Sequence, residues 1–168
     1  MYGIDKKLEA DKNHTVLFYN MGGMDTEVTI ARYSMLNVSE KKSSPHIEIL
    51  AEAWSKELGV NEIDIVLVNL LAERFNALKE REGKPDVREN VRATKRLQKE
   101  VVKIKEVLSA NKQASVKIPE LLDYVTLQLI LQREELEEAA KSFFAGVAEP
   151  VTRVLAKAGL EIADIDQV

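Results

Sequence analysis

Residues 14–30, HTVLFYNMGGMDTEVTI, constrain the fold more than any other stretch. Thr15 to Tyr19 is a β-branched and aromatic run. Gly22 and Gly23 interrupt it, and Thr26 to Ile30 resumes with strict alternation. A β-branched and aromatic run, two glycines and then an alternating run predict a strand, a tight turn and a second strand. Adjacent glycines can take positive φ and let a backbone approach a ligand closely. A strand–Gly-Gly–strand turn is therefore one way to present amide N–H groups to phosphate oxygens. An ordinary hairpin turn is the alternative on spacing alone.

The remaining chain is ordered around that hairpin. Met1 to Leu8 reads as a lead-in or helix end, and Ala10 to Asn13 as a polar turn. The second strand reaches Tyr33 or Met35, and Asn37 to Pro45 reads as a polar loop closed by proline. His46 to Ala53 alternates as a third strand, and Trp54 to Gly59 connects onward. From Asn61, a candidate cap, the period changes to three and four: Ile63, Val66, Leu67, Leu70, Leu71, Phe75 and Leu78 predict a helix to about Glu82. Gly83, Lys84 and Pro85 stop it. Asp86 then caps a second helix, Val87 to Ala110, and the short turn makes the pair an antiparallel hairpin. Ala114 to Ile118 alternates, and Tyr124 to Leu131 alternates more loosely; the two read as a small hairpin or meander. Gln132 to Ala145 is helical. Pro150 opens another helix, Val151 to Ala158, ended by Gly159. Glu161 to Val168 turns into a further strand, whose beginning at the last residue suggests a piece of a longer protein. The order is that of an α+β, or mixed α/β, fold with an antiparallel-edged sheet.

Several function classes are excluded or weakened. With no cysteine, there is no thiol catalysis, disulfide or Cys-ligated zinc, and His14 and His46 are too few for a three-histidine metal site. A formal charge of -4 argues against nucleic-acid binding. The second helix is basic at Arg92, Lys95, Arg96, Lys99, Lys103 and Lys105. Glu100 and Glu106 interrupt that face and no aromatics are interleaved, so a protein partner or a salt-bridged hairpin suits it better. No apolar run reaches the roughly 18–20 residues of a membrane span, and the charged N-terminus does not read as a secretory leader. The acids at Glu134–Glu138 and Glu161–Asp166 read as solvated faces. Asp25 and Glu27, just after the glycine turn, can hold a metal–phosphate complex through water or oppose phosphate by like charge. No triad and no metal-ligand set emerges, and no residue is assigned as catalytic.

Further motifs line up in order. Tyr2-Gly3-Ile4-Asp5-Lys6-Lys7 and Asn20-Met21-Gly22-Gly23 resemble the YGLDKK and DLGGGT segments of Hsp70-type chaperones. Leu58-Gly59-Val60-Asn61-Glu62-Ile63-Asp64 resembles that family's LGGxxFD turn. Asn90 to Leu97 fits its NxRAxxRL helix, and Lys105 to Ser109 its KxxLS helix. Gln113 to Val116, Arg133 to Phe144 and Glu149-Pro150-Val151 follow. The spelling VRENVRA, VLSAN and YNMG is similar to the large Hsp110/Grp170 relatives. The match spans nearly the whole chain.

The resemblance implies one lobe, lobe II, of an actin-like (ribonuclease H-like) ATPase domain over residues 1–168, with a helical subdomain at about 61–145. It stops before the family's GGxxRxP segment. It also implies ATP or ADP with Mg in the parent, bound between two lobes. Gly22 and Gly23 fall on the phosphate turn, Gly59 on the second glycine turn, and Lys105 and Ser109 on the adenosine helix. Other chaperone domains or co-chaperones are the implied partners, and the endoplasmic reticulum lumen or the cytoplasm the implied compartment. An unpaired sheet edge would favour self-association.

The departures cluster on ligand-facing positions. The family's first-turn aspartate is Asn20, its third glycine Met24 and its turn threonine Asp25. Ser55 and Val60 replace an aspartate and a glycine of the second turn. Val102 and Glu106 replace the adenosine helix's glutamate and arginine. Asn20 cannot act as an ionised carboxylate on the metal side. Met24 lacks glycine's freedom at positive φ, Asp25 puts negative charge near phosphate, and Glu106 removes a cation that could stack on adenine. The expectation is a divergent lobe deficient in ATP hydrolysis. A structural or protein-interaction module without nucleotide binding, divergent or engineered, is the alternative.

Overall fold

The computed structural model describes residues 12–39 and 42–168. The Tyr2–Lys7 motif, the lead-in at 1–8 and the start of the polar turn at 10–13 lie outside the described residues. The chain divides into two compact units, one from residues up to Gly59 together with Val147–Val168, the other Val60–Gly146.

The first unit is built on an antiparallel sheet, β1 (His14–Met21), β2 (Thr26–Ser39) and β3 (Lys42–Ser55), in that spatial order. The hairpin register runs from Met21 opposite Thr26 to His14 opposite Tyr33. Because side chains alternate, Leu17, Val28, Ile30 and Ala53 fall on one face. There they meet Val154, Val151 and Leu155 of helix α5 (Glu149–Ala158). Val16, Ala31 and Tyr33, with Phe18, form a second cluster. The register of β2 against β3 shifts between Ile30 and Ala31, where Leu50 is the extra residue on β3. Helix α5 has Pro150 in its first turn and ends on Gly159 at φ 65°.

The expected polar loop at 37–45 is largely strand: β2 continues to Ser39 and β3 begins at Lys42. Pro45 sits opposite Met35. β3 is an edge strand, where proline's missing N–H is tolerated, so proline closes nothing here. Part of the β3 edge is also capped. Arg153 donates to the Trp54 carbonyl and Lys157 to the Glu52 carbonyl, each at 3.0 Å. At the other edge the last residues join β1. Asp166 N donates to Thr15 O and Leu17 N to Gln167 O, both at 2.9 Å, making a parallel bridge between Val16 and Gln167.

Two chain segments lock the glycine turn into place. Thr26, fully buried, donates through Oγ1 to the Leu58 carbonyl at 2.5 Å. Gly59 then lies so near the turn that a Cβ there would fall far inside van der Waals distance of the Gly23 carbonyl oxygen and the Met24 backbone.

The second unit packs helices α1 (Asn61–Asn76) and α2 (Val91–Ala110) against a hairpin, β4 (Gln113–Leu122) and β5 (Val125–Gln132). Helices α3 (Arg133–Ala139) and α4 (Lys141–Gly146) follow. Leu67, Leu71, Phe75, Leu97, Val101, Ile104 and Leu108 share one core with Val116, Leu127 and Leu131. Lys105, late in α2, pairs with Asp64, early in α1, at 2.7 Å, so the helices run antiparallel.

Several expected boundaries are corrected. Asn61 is the first residue of α1 rather than its cap; Val60 precedes it and makes no side-chain cap bond. The helix ends at Asn76, not Glu82. The Asn76 side chain accepts from Val87 N at 3.0 Å, and Arg81 turns inward from a short 3-10 turn, Lys79–Arg81. The Arg81 guanidinium is buried, lies 5.2 Å from the Phe75 ring centroid, and pairs with Asp123. Asp86 caps only the 3-10 turn Val87–Glu89; Asn90 caps α2 itself by accepting from Ala93 N at 3.0 Å. The expected single helix over 132–145 breaks at Ala140.

Two measurements test these contacts. Gly59→Ala should destabilise the first unit by about 1–3 kcal/mol through overpacking against backbone. Trp54, the single tryptophan, lies in that unit, so its fluorescence in a urea titration reads the change. Asp86→Ala should cost the second unit about 1 kcal/mol of cap stabilisation at neutral pH. The Arg88 side chain and amide hold the Asp86 carboxyl well below the usual carboxylate range. A depressed folded value stabilises above the unfolded value, about 3.9, and that contribution is lost as pH falls toward the folded one. Circular dichroism melts should therefore show the gap between the two proteins narrowing below about pH 4.

Candidate functional site

Gly22, Gly23 and Gly59 come together in the first unit. The turn between β1 and β2 is closed by Gly22 N donating to Asp25 O at 2.8 Å. The Gly22 amide is thus spent within the turn. The N–H groups of Gly23, Met24 and Asp25 have no acceptor among the described residues. Three successive open amides are what an anion-binding turn offers. They arise without left-handed backbone: the glycines at positive φ among the described residues are Gly83 and Gly159. Positive φ at Gly22 or Gly23, and a conformational penalty on that ground at Met24, are therefore corrected. Met24 instead projects into solvent, 77% exposed, above the turn. Gly59 serves this site through proximity, since a side chain there would displace the Gly23–Met24 backbone.

The charge beside the turn is negative. Asn20 stands directly across the ladder from Glu27, and Glu27 from Trp54. Cross-strand partners share a face, so this row is amide, carboxylate, indole. The next row is Phe18, Thr29 and Glu52. Asp25, Glu27 and Glu52 are all exposed, and a shallow cavity of about 150 Å³ opens between Glu27, Thr29, Glu52 and Trp54. Lys157 places its ammonium 5.5 Å from the Trp54 ring centroid. No group of three or more His, Asp or Glu side chains suited to a metal ion occurs among the described residues. Asp25 and Glu27 offer carboxylates beside the turn, and Asn20 offers a neutral amide across the ladder from Glu27.

Lys105 and Ser109 lie on α2 in the second unit, one turn apart. The Lys105 ammonium is 2.7 Å from Asp64 Oδ1, both side chains about a quarter exposed. Ser109 Oγ donates to the Glu106 carbonyl at 2.6 Å. Val102 and Glu106 are exposed along the same helix. An open groove of about 490 Å³, lined by Asn61, Asp64, Ile65, Val68, Gln98 and Val101, borders this ion pair. Neither the Lys105–Asp64 pair nor the Thr26–Leu58 bond follows from motif spacing. The signal that remained was Gly59 itself, a small residue where two backbones must meet.

The Hsp70 protein family model matches residues 1–168. The chain is 34% identical over 168 residues to hypoxia up-regulated protein 1 of Xenopus laevis, covering 99% of this chain and 26% of that protein. It is 32% identical to the proteins of that name from Homo sapiens and Danio rerio, covering 99% of this chain and 17% of each. The chain therefore spans between about a sixth and a quarter of the length of these relatives. The mixed α/β architecture, with its antiparallel sheets and packed helices, accords with the actin-like ATPase fold. The chain belongs to the Hsp70 family, with its likeness to the large Hsp110/Grp170-type members.

Proposed function

We propose that this chain is part of the nucleotide-binding domain of an Hsp70-type chaperone whose phosphate turn keeps its backbone and has lost most of its chemistry. One observation carries the reading: the amides of Gly23, Met24 and Asp25 are open to an anion while Asn20, Met24 and Asp25 surround them. In the parent, ATP or ADP with Mg would meet Gly22, Gly23 and Gly59 at the phosphates and Lys105 and Ser109 at the adenosine. Mg would neutralise phosphate charge there. Asn20 supplies a neutral amide in place of an ionised oxygen. Asp25 adds negative charge at the anion's own position. Lys105 must give up Asp64 before it can serve a ligand. Each effect weakens nucleotide binding, and together they make the chain deficient in hydrolysis.

The parent's work is protein folding in partnership with other chaperone domains or co-chaperones. The hypoxia up-regulated relatives favour a stress-responsive protein of the endoplasmic reticulum lumen, with the cytoplasm as the alternative compartment. No helix among the described residues is long and apolar enough to cross a membrane. A second reading rests on Asp25, Glu27 and Glu52 together: a face so acidic suits a protein-interaction module that binds no nucleotide. Self-association, where it occurs, would use an unpaired sheet edge.

Calorimetric and thermal-shift titration with Mg-ATP and Mg-ADP separates the two readings. A ligand at its dissociation constant stabilises by about 0.4 kcal/mol. The chain should gain no more than that at millimolar nucleotide and should release no phosphate above background. Asn20→Asp combined with Met24→Gly should bind about tenfold more tightly, or about 1.4 kcal/mol. Micromolar binding by the unaltered chain contradicts the deficiency. Silence from both proteins leaves the interaction module.

A further inference from the structure

The connection between β4 and β5 is two residues, Asp123 and Tyr124, with Leu122 paired to Val125. Their φ values are 52° and 61°. Positive φ at both central positions marks a type I′ hairpin turn, whose second position ordinarily holds glycine. Tyrosine is strained there. Burial does not repay it, because Tyr124 is 90% exposed. Glu120, at the bulge just before, is a third non-glycine residue at positive φ, 45°.

This strained tip is held from below. Arg96 donates to the carbonyls of Pro119 and Glu120, each at 2.6 Å. Glu120 N donates to Thr126 Oγ1 at 3.0 Å, and buried Arg81 holds Asp123. The phenol is thus presented on a braced turn. Beside it runs an open groove of about 670 Å³, lined by Arg92, Arg96, Leu121 and Tyr124 among others.

Arg92 continues into a stripe. Arg92, Lys95 and Lys99 follow at helical spacing along the exposed side of α2, opposite its buried Ala93, Leu97 and Val101. None of the three side chains has an ion pair or hydrogen bond among the described residues. Other cations of α2 are engaged: Arg96 by carbonyls, Lys103 by Glu100 and Lys105 by Asp64. Three uncompensated positive charges thus stand in line on a chain of net charge -4.

We propose that the β4–β5 tip and the exposed side of α2 form a docking surface for an acidic segment of a protein partner, with Tyr124 as its aromatic anchor. The cations complement acidic side chains, and an exposed tyrosine on a rigid turn is the kind of residue that concentrates binding energy at protein interfaces. Glu120 at the tip and Glu106 farther along α2 disfavour a uniformly charged polyanion such as nucleic acid. The surface goes beyond the nucleotide reading and stands whether or not nucleotide binds.

The test uses the full chain and a fluorescein-labelled peptide of alternating glutamate and leucine, read by anisotropy at physiological salt. A lysine–leucine peptide and an oligothymidylate serve as controls. The acidic peptide should bind and the lysine peptide should not. Arg92→Glu with Lys99→Glu should weaken binding by about tenfold or more. Tyr124→Gly should weaken binding and also raise the melting midpoint, since glycine relieves the turn. A lowered midpoint, or unchanged peptide binding in Tyr124→Gly, overturns the anchor. Tighter binding of the oligothymidylate than of the acidic peptide overturns the choice of partner.

Discussion

The first unit depends on one close approach, that of Gly59 to the backbone of Gly23 and Met24. A hairpin turn of four residues has few ways to hold its shape by itself, because one internal bond, Gly22 N to Asp25 O, closes it. The second contact, from a segment more than thirty residues later, removes the remaining freedom. Thr26 supplies the hydrogen bond to Leu58, and Gly59 supplies the absence of a side chain. The shape of the turn is thus set by backbone contact from one side, while Met24 and Asp25 project to solvent on the other.

That separation accounts for which parts of the molecule were legible from sequence. Burial writes itself as periodicity. The β-branched and aromatic run at 15–19, the alternation at 26–30 and the three–four spacing that begins at 63 and at 91 each led to a real strand or helix, because a face must be apolar to enter a core. Pro150 and Gly159 were equally legible, since each bears on local backbone geometry. The boundaries failed where a side chain served a distant partner. Asn76 binds Val87 N instead of continuing its helix. Arg81, in a stretch that scores as helix, goes inside to reach Asp123 and Phe75. Pro45 looked like a loop residue because its place on an edge strand is a property of the sheet, not of its neighbours.

The candidate site was legible in a different way. Gly22, Gly23 and Gly59 were singled out as candidates by ordered motifs, and the structure brings them together in one place. The expectation was conformational, positive φ at the first pair. The observed role is spatial: room for one backbone to pass another, and open amides on the exposed side. Lys105 was found by motif too, but its pairing with Asp64 was not. Charge pairs across a helix hairpin depend on rotation about each helix axis, and a single sequence does not encode that rotation visibly.

Tyr124 makes the same point from the opposite direction. At a glycine position in a type I′ turn, local propensity and tertiary packing both argue against tyrosine. The strain falls where burial can return nothing, whereas the braces beneath it, Arg81 and Arg96, are buried or bonded with care. Departures from local rules that a fold supports instead of removing are where function is to be sought. At the Gly22–Asp25 turn, by contrast, no residue is held at positive φ, and the exposed Met24 and Asp25 stand beside open amides. The two turns therefore differ in kind. One is unstrained and held by backbone contact from Gly59, and the other is strained and braced by Arg81 and Arg96.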